Sequence, residues 1–134
     1  ERLGVFSFYI DNLHHNLITK LLNDRFGIQV RGGCSCAGTY GHFLLNVDFN
    51  LSNEITKRIE AGDLSLKPGW IRLSLHPTMT NDELYFILDA VKATIRNAAK
   101  WSEDYIYDNH TNEFYHRAFT KNRNPGYEHW FDLE

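Results

Sequence analysis

Residues 26–42 read FGIQVRGGCSCAGTYGH, and the rest of the chain is organised around this stretch. Five of its residues are glycine, and both of the chain's cysteines lie in it. Gly27 follows a helical pattern at the position where a left-handed residue ends a helix. Ile28, Gln29 and Val30 then read as a short strand. Gly32 and Gly33 release the backbone into a loop that residues without a Cβ follow most easily. Such a loop, with two thiols behind Arg31, is suited to meet a ligand; the plain alternative is a tight turn with two half-buried cysteines. A thiolate, not a thiol, is the nucleophile, so a reactive cysteine needs a flexible, partly exposed, electropositive setting, which the small residues near Cys36 and the nearness of Arg31 along the chain suggest. A rival chemistry is zinc binding by Cys34, Cys36, His42 and one of His14 or His15, against which stands the lack of a second cysteine pair.

Upstream, Gly4 to Ile10 is rich in aromatic and β-branched residues and reads as a strand. Asp11 and Asn12 are candidate N-caps for a helix in which Leu13, Leu17, Ile18, Leu21 and Leu22 recur at helical spacing as far as Phe26. His14 lies in that apolar stripe and His15 at its edge, where a packed core role outweighs a ligand role. Downstream, a short helix over 39–47, capped by Thr39, puts Tyr40, Phe43, Leu44 and Val47 on one face. A second runs over 52–61, with Ser52 as cap, Ile55 and Ile59 facing inward and Gly62 as stop. Pro68-Gly69 is a turn.

Residues 70–75, WIRLSL, alternate as a strand does, with Trp70, Arg72 and Ser74 on one face and Ile71, Leu73 and Leu75 on the other. Arg72 is either a solvent-facing edge residue or a guanidinium fork that grips a carboxylate through two parallel hydrogen bonds. Thr80 and Glu83 form a capping box. Leu84, Ile87, Leu88, Val91, Ile95 and Ala98 then make the best amphipathic helix of the chain, to about Trp101. Residues 108–134 show no period and read as an extended aromatic and polar tail.

With 134 residues, 43% of them hydrophobic and 23% charged, the chain has room for a single real core. Its net charge of −3 offers no basic field to nucleic acid, and no apolar run reaches membrane-spanning length. Cysteines at i and i+2 do not make an unstrained bridge, which fits a reducing, cytoplasmic compartment. The alternation of strands and helices predicts an α/β chain of the α+β two-layer kind: a small, largely antiparallel sheet with helices over one face. An uncovered apolar face is expected to make the chain self-associate.

From Val5 to His42, and again around Arg72, the chain resembles the C-terminal small domain of class-V aminotransferase-fold enzymes, the group of cysteine desulfurases and selenocysteine lyases. The shared pieces are Asn23 to Ile28, Arg31, Gly33 and Cys36-Ala37, then Arg72-Leu73-Ser74-Leu75 and the capped helix from Thr80. The resemblance covers about residues 4–102. It implies a small domain over 1–107, belonging to a fold-type-I enzyme whose larger domain, on the same polypeptide, holds pyridoxal phosphate on a lysine. It implies Cys36 as sulfur or selenium acceptor, Arg72 as the group that grips the substrate carboxylate, and Arg31 as a second active-site arginine. A homodimer, an amino-acid substrate and a sulfur-accepting protein follow as expected partners. No lysine of the chain sits in the family's lysine motif, so no cofactor residue is expected here and the chain alone is expected to be inert. Departures are Cys34-Ser35, where the desulfurase branch carries two histidines, the residues 38–41, and a longer insertion between Asn46 and Lys67. They leave open a class-V aminotransferase or lyase that does not use the cysteine, or a non-catalytic binding or metal module.

Overall fold

Ile71 and Leu73, the inward-facing residues of one short strand, sit at the centre of the core, buried with Leu17, Ile18, Leu21 and Leu22 of one helix and Ile87, Ala90 and Ala98 of another. The computed structural model describes residues 4–34 and 38–119. The elements run β1 (Val5–Phe8), α1 (His15–Phe26), β2 (Arg31–Gly33), α2 (Gly38–Leu44), α3 (Phe49–Glu60), β3 (Trp70–Ser74), α4 (Asn81–Ser102), β4 (Tyr105–Asp108) and β5 (Glu113–His116). β3 is the middle strand of an antiparallel sheet ordered β1-β3-β2, and β4 and β5 pair as a separate hairpin. This is the expected α+β arrangement, with α1 and α4 packed over one face of a small antiparallel sheet.

Helix ends follow from local chemistry. Gly27 adopts φ 68°, its N–H bonds the Asn23 carbonyl at 2.9 Å, and the Ile28 N–H reaches back to Leu22 at 3.1 Å. At the other end of α1, His14 is the cap: its Nδ1 accepts from the Asn16 N–H at 3.1 Å. Asp11 and Asn12 do not serve, because Asn12 takes φ 62° in a turn closed by the Leu13 N–H on the Ile10 carbonyl, and the helix starts later. α3 is capped by Asp48, not Ser52; the earlier oxygen accepts from the Leu51 N–H at 2.8 Å, and the Ser52 hydroxyl is shared with the His42 ring. The Thr80–Glu83 capping box of α4 is present in full.

Three further features differ from the sequence expectation. The paired part of β2 is Arg31–Gly33, while Ile28, expected in the strand, is a buried residue of the approach to it. On α4 the buried stripe is Ile87, Ala90, Thr94 and Ala98, and Leu88 and Ile95 are each 41% exposed on its flank. Residues 105–116 fold back as the β4–β5 hairpin, where the aperiodic tail was expected to begin. Asp108 caps its turn by accepting from the His110 N–H at 2.9 Å, and Asn112 at φ 59° completes it. The Tyr107 and Phe114 rings, opposite one another in the hairpin, pack on His14 at centroid distances of 5.2 and 5.4 Å. The remainder of the expected tail, with Tyr127, Trp130 and Phe131, lies outside the described residues.

His15 is a core residue, 6% exposed, and burial, aided by the neighbouring His14 and Lys67, pushes its pKa down to about 4. The folded protein therefore holds His15 neutral while the unfolded chain protonates it near pH 6.5. Its contribution to stability is complete above pH 6.5 and is lost as pH falls from there toward 4, by at most about 1.4 kcal/mol per pH unit. His14, lowered by the same cause, adds in the same direction. Urea midpoints measured between pH 7 and 4 are expected to fall, and the His15→Gln variant to show a flatter profile; an unchanged slope would contradict the assignment.

Candidate functional site

The pairing register brings the two predicted arginines together. Arg72 on β3 lies directly opposite Arg31 on β2, and opposite Ser7 on β1. Cross-strand partners point to the same side of a sheet, and alternation puts Ile71 and Leu73 on the other. Both guanidinium stems thus leave the face away from the α1–α4 core. Like charges directly opposite one another destabilise a sheet. Arg72 is half-buried, and its Nε is sealed from solvent with no hydrogen-bond partner. A buried donor left unmade costs roughly 1–3 kcal/mol. A carboxylate or similar anion bound at Arg72 would suit this fork, since it accepts two parallel bonds from one guanidinium.

The cysteine-bearing segment starts at the same end of the sheet. Gly33 pairs with Trp70, two residues before Arg72 on β3, a rise of about 7 Å. Glycine is required where these strands begin to meet: a Cβ on Gly69 would stand 2.8 Å from the Gly33 Cα and 2.6 Å from the His15 ring. Cys34 follows, half-buried, its Sγ donating to the Pro68 carbonyl at 2.8 Å. Burial pushes its thiol pKa up, against a smaller opposing pull from Lys67. Cys34 is therefore a protonated, engaged thiol, not a ready nucleophile. Cys36 lies outside the described residues.

Beside this corner, a cleft of about 500 Å³ runs between the end of β2, the turn before β3 and the β4–β5 hairpin, lined among others by His15, Cys34, Lys67 and Asn112. Its hairpin wall had no signal in the sequence beyond the turn-forming asparagines. His42, one of the residues considered for zinc, is engaged by the Ser52 hydroxyl at 3.2 Å, and among the described residues no group of three His, Cys, Asp or Glu side chains converges on a metal position. Among them, too, no helix is long and apolar enough to cross a membrane.

Residues 1–86 match the family model for aminotransferase class-V, and the matched span contains Arg31, Cys36 and Arg72. The chain belongs to the aminotransferase class-V family, whose members generally depend on pyridoxal phosphate. No curated protein and no solved structure matches it. Pyridoxal phosphate requires a lysine for its aldehyde and a cup of donors for its phosphate. None of the residues that the register puts on the face of Arg72 (Val5, Ser7, Arg31, Gly33, Trp70 and Ser74) is a lysine. Lys67 is exposed, on the cleft beside Cys34. The residues on this face do not supply the cofactor's lysine by themselves.

Proposed function

We propose that the chain is the substrate-side, C-terminal domain of a cysteine desulfurase or selenocysteine lyase-like enzyme of the class-V family. The observation that carries this reading is the half-buried Arg72, with an unpaired Nε, opposite Arg31 and two residues along β3 from the point where the Cys36 segment leaves the sheet. An amino acid offers a carboxylate for the arginine and a sulfur or selenium a few ångströms away for the thiol. In this reading Arg72 anchors the carboxylate, Arg31 adds a second positive charge at the same anion, and Cys36 receives the chalcogen. The carbon–sulfur bond of cysteine breaks, a sulfur–sulfur bond forms on Cys36, and the products are alanine and a Cys36 persulfide. Atoms and electrons balance without a further reagent. Pyridoxal phosphate is held by a large domain of the same polypeptide, in a cytoplasmic homodimer that passes sulfur to an acceptor protein, and the 134-residue chain alone is inactive.

A second reading, a class-V aminotransferase or lyase in which the thiols only pack, draws support from Cys34, which is engaged with Pro68. Product analysis separates them. The full-length enzyme, given cysteine or selenocysteine, is expected to release alanine together with sulfide or selenide when a reductant is present. Formation of a keto acid, with no alanine and no sulfide, would overturn the desulfurase reading and leave the second.

A further inference from the structure

His14 and His110 both tie the β4–β5 hairpin to the rest of the protein, and their hydrogen bonds run in opposite senses. His14, half-buried, caps α1 with its Nδ1, which accepts from the Asn16 N–H at 3.1 Å. A backbone N–H only donates, so this Nδ1 is bare and the proton of the neutral ring sits on Nε2. The same ring is stacked on His15 at 4.4 Å, with Tyr107 and Phe114 of the hairpin packed against it. His110, in the hairpin turn, meets the Gly62 carbonyl with its Nδ1 at 2.9 Å. A carbonyl only accepts, so here Nδ1 carries the proton. A proton added to the first ring removes its bond, whereas one added to the second leaves its bond in place.

We infer that His14 is a proton-sensitive pin for the hairpin: neutral, it holds the turn end on α1, and protonated, it lets residues 109–114 leave α1 while His110 keeps them on the loop that follows α3. The pin operates whether or not Cys36 is a sulfur acceptor. Protonation puts two N–H groups face to face at the cap, so the ring turns away from Asn16 and, with it, from Tyr107 and Phe114. The bond from the Asn16 Nδ2 to the Asn112 carbonyl, 2.6 Å, hangs on the same first turn of the helix. Other anchors have no such sensitivity: the Leu64 N–H bonds the Asn109 carbonyl at 2.8 Å, and the buried Tyr105 bonds Asp24 at the far end of the hairpin. The titratable groups around the His14 ring are His15 on α1 and Tyr107 on β4; Lys67, in the loop before β3, acts on His15, and the Glu113 carboxylate of β5 is taken by the Tyr115 hydroxyl. Burial pushes the His14 pKa down from 6.5, against a smaller opposing effect of Asn112, so docking is complete at pH 7 and is lost as pH falls below 6.5. Thr111, Asn112 and Glu113 wall the cleft of about 500 Å³ beside Cys34, so the movement opens that cleft.

The test is amide hydrogen exchange of the full-length protein at pH 7 and pH 5, read by peptide mass and corrected for the intrinsic exchange rate at each pH. Protection of residues 109–114 is expected to fall about tenfold at pH 5, while residues 87–98 of α4 lose no more than about twofold. Two variants remove the titration in different ways. His14→Asn supplies a cap oxygen that does not titrate, and His14→Phe supplies a ring that packs on the hairpin without a proton to gain. In both, protection of the hairpin at pH 5 is expected to lie within about twofold of its value at pH 7, with α4 protected as in the wild type. His110→Asn and His15→Gln are expected to keep the wild-type loss. Hairpin protection that does not change between pH 7 and pH 5, or a loss shared equally by α4, would overturn the pin. So would a tenfold loss that persists in the His14→Phe variant, or one that vanishes on replacing His110 or His15.

Discussion

Replacing Cys36 with alanine is expected to lower cysteine desulfuration in the holoenzyme by roughly three orders of magnitude or more, to the limit of detection, with folding unchanged. A nucleophile that forms the new bond has no substitute within the site, and removing one acts on the whole reaction and not on a single contact. Alanine release from selenocysteine is expected to fall less, because selenium leaves carbon more easily and does not need so strong an acceptor. Cys34 is the internal control. Its thiol is protonated and held by Pro68, so Cys34→Ala leaves a slowed but working enzyme. Loss of activity on replacing Cys34, with activity retained on replacing Cys36, would show that the reactive position in this loop has been misassigned. Indifference to both would favour the aminotransferase or lyase reading.

Arg72→Ala is expected to lower kcat/KM for every amino-acid substrate by about two to three orders of magnitude. The figure follows from the roughly 2–5 kcal/mol that truncating one partner of a buried, charge-assisted pair costs, at about 1.4 kcal/mol per tenfold. The guanidinium is half-buried in mid-strand with its Nε sealed from water, so its removal leaves the substrate carboxylate without a bidentate partner in a partly desolvated position. Arg72→Lys is expected to restore only part of the loss, since an ammonium cannot present two parallel N–H groups to a carboxylate. The effect should be the same for cysteine and selenocysteine, both of which carry the carboxylate. Steady-state kinetics with these substrates check it, and a loss confined to the sulfur substrate would contradict the anchor role.

Much of this arrangement is legible in the sequence, because the signals are local. Gly27 as a helix stop, the Thr80–Glu83 box and the alternation of Ile71 and Leu73 each depend on a few adjacent residues, and each holds in the structure. Misplaced features depend on competition between neighbours. Asp11 and Asn12 are good caps by type, but the left-handed turn at Asn12 removes them and leaves the role to a histidine. Ser52 loses to Asp48 because the helix begins earlier than its apolar residues reveal. The β4–β5 hairpin has four-residue strands, too short for alternation to stand out, and it is held by stacking on His14 across some ninety residues of sequence. Arg72 was recognisable as unusual from its place between Trp70 and Ser74. That it stands opposite Arg31 follows from a register that no single strand encodes. The engagement of Cys34 with Pro68 is likewise a contact between segments, invisible to any motif.

The most direct measurement is a single turnover of the full-length holoenzyme with stoichiometric cysteine, without reductant, followed by peptide mass analysis under non-reducing conditions. The peptide that carries Cys34 and Cys36 is expected to gain the mass of one sulfur atom, assigned by fragmentation to Cys36, with one equivalent of alanine released. One equivalent of product formed while both cysteines keep their unmodified mass, or a sulfur located on Cys34, would contradict it.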